Sequence, residues 1–244
     1  MKKYRWIWIA LSLLVIINCQ LLTRPKVKII NHAAPALIVD TQPFKQAGCT
    51  PNEYGLWTCP QDNPMSFLGC DQIASVTDLL GGLDPNYPII ECRISNPSGA
   101  VAPMQEGDYI FQKGCLRLLY VRYVFYQDRE YKTINNLDDL KTIFAPINSN
   151  NEALSYALAA SGLGERFGLQ INPDYRYLVQ TLEDTKVVQT KDGYEVNLYH
   201  YQLCGCGPHT TSVVKVVVTK DGEIFTSERL PAFEDPKQDN LCID

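Results

Sequence analysis

The residues best suited to chemistry stand together in Cys204-Gly205-Cys206-Gly207-Pro208-His209. Thiolates and imidazole are ligands for soft metals, and the two glycines would let the backbone fold around an ion. The same cysteine pair could exchange with disulfides if one thiolate were stabilised. Zinc motifs, however, space their cysteines further apart and add a second ligand pair, which this sequence does not offer. The competing reading is scaffolding, in which each cysteine bridges to a distant partner such as Cys115 or Cys242 and the glycines serve a turn. Cys204, Cys206 and His209 are therefore a candidate metal or redox site with structural disulfides as the alternative.

Other reactive residues carry less. His200 shares strand parity with Val196 and Leu198 and reads as a packed, hydrogen-bonded side chain rather than a ligand. His32 has no chemical neighbours in sequence. A Cys–His hydrolase needs a free thiol beside an oriented histidine; Cys204 or Cys206 with His209 or His200 is the pairing the sequence offers, and it is the weakest of these readings. Tyr120, Arg122, Tyr123, Phe125 and Tyr126 mix aromatic and basic types that can stack bases, but they fit a core strand better. No catalytic or cofactor signature stands elsewhere, so neither catalysis nor a cofactor is expected.

Charge supports that reading. The chain of 244 residues carries −5, and losing residues 1–18 removes three basic residues and no acidic ones. Such a surface cannot neutralise phosphates, which excludes nucleic acid as a partner. At 45% hydrophobic and 20% charged the composition is that of a folded globular protein.

The compartment follows from the N-terminus. Lys2, Lys3 and Arg5 precede an apolar run from Trp6 to Ile17, the order of an export signal. Ile16-Ile17-Asn18-Cys19 resembles the lipobox of bacterial lipoproteins, in which a peptidase cuts before a cysteine that carries diacylglycerol. That family has Leu and a small residue where this chain has Ile16 and Asn18. The resemblance implies lipidation at Cys19. An uncleaved anchor is the second possibility, since Trp6 to Leu22 spans roughly 25 Å as a helix, and ordinary cleavage with release is the third. Residues 1–18 are thus a signal or anchor, and 19–47, with three prolines, are expected as an extended stem.

Nine cysteines are present. With Cys19 set aside, Cys49, Cys59, Cys70, Cys92, Cys115, Cys204, Cys206 and Cys242 are disulfide candidates, as is usual outside the cytoplasm. Cys49 and Cys59 flank a turn-rich stretch and could close a local loop, while Cys242 could tie down the tail.

The elements that would position these residues fall in 48–244, expected as one exported domain. Residues 48–114 read as a cysteine-rich irregular region with a single helix, Gln72 to Leu80, capped by Asp71 and ended by Gly81-Gly82. Strands are expected at 116–126 and 131–134, followed by a helix at 137–144 capped by Asn136. Ser149 and Glu152 form a capping box for a helix over 152–161. The repeated Thr-Lys-Asp-Gly at 190 and 219 marks two hairpins among strands near 185–190, 194–203, 211–219 and 223–227. Both turns then lie at one end of a meander, and the 204–209 link lies at the other. Alternation puts Val214, Val216 and Val218 on one face.

A helix followed by such a meander, over residues 149–228, resembles the half-cystatin arrangement of PepSY-type domains of secreted bacterial proteins. The resemblance rests on element order, and it implies binding, inhibition or regulation.

The expected fold class is α+β: an antiparallel meander with packed helices at the C-terminal side, preceded by the irregular region. The expected function is that of a membrane-tethered extracytoplasmic binding or accessory protein of the cell envelope. Its partners are the membrane, through lipid or an anchor helix, and an unidentified protein or small molecule. The alternative is a metal-binding or thiol-redox protein working through the 204–209 loop.

Overall fold

The computed structural model describes residues 27–95, 104–105 and 107–244. Residues 1–18, expected as signal or anchor, and Cys19, expected to carry lipid, lie outside the described residues. Among the described residues no helix is long and apolar enough to cross a membrane.

The chain begins with β1 (Lys28–Ile30) and α1 (Gln42–Gln46), followed by β2 (Thr50–Pro51), β3 (Leu56–Thr58), β4 (Gln72–Ala74), β5 (Ile89–Ser95), β6 (Phe111–Lys113), β7 (Leu119–Gln127) and β8 (Glu130–Ile134). Two helices come next, α2 (Leu137–Phe144) and α3 (Asn150–Ser161). The remainder is β9 (Arg176–Tyr177), β10 (Thr181–Glu183), β11 (Val187–Gln189), β12 (Gly193–Tyr201), β13 (Gly205–Cys206), β14 (Thr210–Thr219), β15 (Ile224–Thr226), β16 (Leu230–Glu234) and β17 (Cys242–Ile243).

Two large antiparallel sheets organise these elements. The first runs β2-β3-β4-β5-β7-β6 with β8 beside β7, and the second runs β11-β12-β14-β16-β9 with β15 beside β14. Helix α3 lies in the main core that both sheets share. Its residues from Glu152 to Ala160 are all buried, and they join Ile89, Tyr123 and Phe125 of the first sheet to Val196, Leu198, Val214 and Val216 of the second. A helix enclosed on every side must be apolar on every side, which Ala153-Leu154-Ser155-Tyr156-Ala157-Leu158-Ala159-Ala160 satisfies. Its two polar members are paired: Ser155 donates to the carbonyls of Leu79 and Asn151, and Tyr156 Oη donates to Gly222 O at 2.8 Å.

The expected α+β class does not hold. Of the described residues 36% are in strands and 16% are helical, so the fold is mainly β. The stretch 48–114 is the source of the difference. It is not irregular throughout: it supplies β2 to β6, and Cys49, Trp57, Met65, Ile90 and Cys92 from it share a core with Phe44 and Val124. The helix expected at 72–80 is a strand at Gln72–Ala74 and a 3-10 turn at Asp78–Gly82. Asp71 does not cap it, because its carboxylate accepts from both the amide and the hydroxyl of Ser95 at 2.7 Å, locking β4 to β5. Gly81 and Gly82 are spacers rather than a helix stop. A Cβ on Gly82 would lie 2.5 Å from Ser155 Oγ, and one on Gly81 would lie 2.2 Å from Ile38 O.

Residues 27–47, expected as stem, are built into the domain. β1 pairs in parallel with β10, and Val27, Val39 and Phe44 are buried.

The later elements follow the sequence closely. Asn136 caps α2 by accepting the Asp139 amide at 2.9 Å, and Ser149 caps α3 by accepting the Glu152 amide at 3.2 Å. The two Asp-Gly turns share one end of the second sheet, where Lys220 N donates to Asp192 O at 3.3 Å.

Candidate functional site

The 204–209 loop is held by covalent and backbone partners. Cys204 is bonded to Cys115 and Cys206 to Cys242. The His209 ring is buried, with Nδ1 2.8 Å from Gln202 O and Nε2 2.9 Å from Leu241 O. Both sulfurs and both ring nitrogens of the candidate set are thus already engaged. The other two bridges, Cys49–Cys59 and Cys70–Cys92, lie within the first sheet's layer. His32 is at the domain surface, its Nε2 2.9 Å from Glu183 Oε1.

A groove of about 930 Å³ opens beside this loop, between the end of β6 and the end of β12, where α3 stops at Gly162. Its charged lining is Lys113, Glu165, Arg166 and Arg229, with the His200 ring beside them. A second groove of about 690 Å³ begins on the other side of Arg166 and is walled by Phe167, Tyr175, Tyr177 and Phe233. The two share Glu165 and Arg166.

The segment carrying Arg166 has no regular structure but is fixed at almost every residue. Gly164 exchanges backbone hydrogen bonds with Tyr199 at 2.8 and 2.9 Å. Arg166 N donates to Thr185 Oγ1 at 2.9 Å, and Thr185 N returns a bond to Arg166 O at 2.8 Å. Gly168 N donates to the buried carboxylate of Asp184 at 3.1 Å, and Asn31 Nδ2 donates to Leu169 O at 3.0 Å. This density of bonds substitutes for a helix or strand in holding the loop on the sheet.

The side chain of Arg166 is held by rings. Its Cζ lies 5.4 Å from the Phe233 centroid and 5.7 Å from that of Tyr199. Tyr175 stacks on Phe233 at 5.2 Å with planes 9° apart, extending the aromatic wall. Cation–ring contact favours the charge without using the in-plane N–H groups. Among the described residues no carboxylate pairs with Arg166 or Arg229. By contrast, Lys113 is tied to Glu91 at 2.7 Å, and Glu165 accepts from Thr77 Oγ1 at 2.8 Å.

His200, expected as a packed and hydrogen-bonded side chain, contributes a ring whose Nδ1 is buried and, among the described residues, has no hydrogen-bond partner. Burial first, and the charge of Arg229 second, hold its pKa below the ordinary histidine value.

Arg166 and Arg229 carry no motif, and sequence reasoning missed both. The one available signal was local: Arg166 stands among glycines and apolar residues in a stretch without periodicity, where a lone basic residue has no face to occupy. Among known protein families, curated proteins and solved structures, no match to this chain was found.

Proposed function

We propose that this chain is an extracytoplasmic binding protein of the cell envelope, tethered by its N-terminus through lipid on Cys19 or an uncleaved anchor helix. The paired grooves on either side of Arg166 are the ligand seat in this reading. What carries it is the joining of all eight cysteines from Cys49 to Cys242 in four bridges, a pattern that persists in oxidising compartments and is rare in the cytosol. The basic start and apolar run of residues 2–17 support export independently. The grooves support binding, since concave sites with a few converging polar groups are where small ligands are held.

The test is the intact mass of the protein extracted from membranes, before and after reduction and alkylation. A chain beginning at Cys19 with a diacylglycerol increment, or an uncleaved chain that keeps its apolar run, is the expected result, in either case with the eight cysteines from Cys49 to Cys242 alkylating only after reduction. Recovery from the cytosol with those thiols already free would sink the proposal.

A further inference from the structure

We propose that Arg166 is the centre of a carboxylate-binding seat, and that the ligand carries its carboxylate beside a flat apolar face. This rests on reading the chain as a binding protein, and it names the chemistry of the ligand.

Three observations converge on Arg166. The first is preorganisation: its backbone is bonded to Thr185 in both directions, and its guanidinium is packed on Phe233 and Tyr199. A side chain already held in place loses little further freedom when it binds. The second is unused capacity. A guanidinium offers five N–H donors in a fork that matches a carboxylate, and among the described residues none of those of Arg166 is taken by a carboxylate. The third is position. The residue stands where the polar groove, with Arg229 and His200, meets the aromatic groove of Tyr175, Tyr177 and Phe233.

The local charge runs against the chain's own. The protein is acidic at −5, yet the polar groove presents Lys113, Arg166 and Arg229 against one carboxylate, Glu165. Lys113 and Glu165 are already engaged by Glu91 and Thr77. The neutral Thr77 hydroxyl leaves Glu165 its charge, so with Lys113 paired the two arginines outweigh that one carboxylate and an anion is favoured over a cation. A ligand carboxylate accepts two parallel N–H bonds from Arg166, with Arg229 adding attraction from the rim, and the adjoining apolar face lies along the aromatic wall.

The experiment uses the disulfide-bonded exported chain and the smallest probe with both features, benzoate. Its neutral isostere benzamide and inorganic phosphate are titrated alongside, and the arginine Nε–H and His200 ring signals are followed by NMR. Saturable shifts of Arg166 with benzoate and none with benzamide are expected. Arg166→Lys keeps the charge and loses the fork, so it should weaken benzoate by about tenfold or more at an unchanged melting temperature. Arg229→Gln, an exposed change, should weaken it by a smaller factor and decides the matter if Arg166→Lys proves unstable. The proposal is overturned if benzoate gives no saturable shift, if benzamide binds equally well, or if phosphate matches benzoate and neither variant weakens it. None of these outcomes alters the chain's mass or its bridges, so failure of the seat is distinguishable from failure of the export reading.

Discussion

Cys204 is bonded to Cys115, 89 residues earlier, and among the described residues theirs is the only bridge that joins the two large sheets. The other three close shorter loops, the shortest being the 10-residue separation of Cys49 and Cys59. In the chain-entropy account, a bridge stabilises by constraining the unfolded chain, more so for a longer loop. Replacing Cys115 and Cys204 together by alanine should therefore cost about 4–5 kcal/mol, and replacing Cys49 and Cys59 about 3 kcal/mol. Denaturant unfolding of the two double variants checks the ranking. The reverse order would mean that strain or packing, rather than loop length, sets what each bridge is worth.

The contrast between the two halves of the chain shows what the sequence could reveal. β7, β12 and β14 have nine or ten residues each, long enough for alternation and turn chemistry to show. β2, β3 and β4 have two or three, too few for a period of two to register. β5 is longer, yet Glu91 interrupts its apolar pattern at a buried position. That carboxylate is tolerated because Lys113 reaches it from β6 and Arg93 lies beside it, a pairing that exists only after the sheet forms. The Arg166 site is hidden for the same reason. Its partners Thr185, Tyr199 and Phe233 come from three distant segments, and no spacing rule connects them.

Glu152 shows a cost written into a helix cap. Its Oε2 accepts the amide of Asn148 at 2.8 Å, one residue before the position a capping box would use, and its Oε1 is buried without a partner among the described residues. Burial raises its pKa above the ordinary 4.5, opposed by the Asn148 bond and assisted by Asp84. A raised carboxyl pKa means the folded state holds the proton more tightly, so ionisation costs stability above the folded value and that cost is relieved as pH falls. Glu152→Gln keeps the acceptor and removes the charge. It should stabilise the protein at neutral pH, with the advantage closing as pH falls through the raised folded value and gone by about 4.5. Thermal melts across that range test this, and an advantage independent of pH would refute it.

His209 fastens the C-terminal tail. Two backbone carbonyls, of Gln202 and Leu241, face its two ring nitrogens at 2.8 and 2.9 Å, and Leu241 is next to Cys242 of β17. A neutral ring can donate to one of them and a protonated ring to both. His209→Phe fills the space but leaves Gln202 O without its ring partner, while Leu241 O keeps the Gly207 amide at 3.0 Å, which should cost about 1–3 kcal/mol. The loss should be local, so the Cys206–Cys242 bridge should reduce faster in the variant while Cys49–Cys59 is unaffected. Equal acceleration at both bridges would mean that the substitution unfolds the whole domain instead of releasing the tail.

His200 makes the groove's own contribution to acid sensitivity. Its pKa is lowered from 6.5, first by burial and then by Arg229. For a histidine shifted in this direction the unfolded chain takes up a proton before the folded one does. Stability is therefore lost as pH falls from about 6.5 through the folded value, and is level beyond it. His200→Gln removes that term, so the variant's stability should change less than the wild type's over this window and equally elsewhere. A ligand carboxylate near Arg229 would offset the positive charge that disfavours the protonated ring, raising the His200 pKa and drawing in a proton on binding. Benzoate affinity should then rise as pH falls towards the histidine's range in the wild type, and rise less in His200→Gln. Parallel pH profiles for the two proteins would separate His200 from the ligand site and leave its depressed pKa as a matter of packing alone.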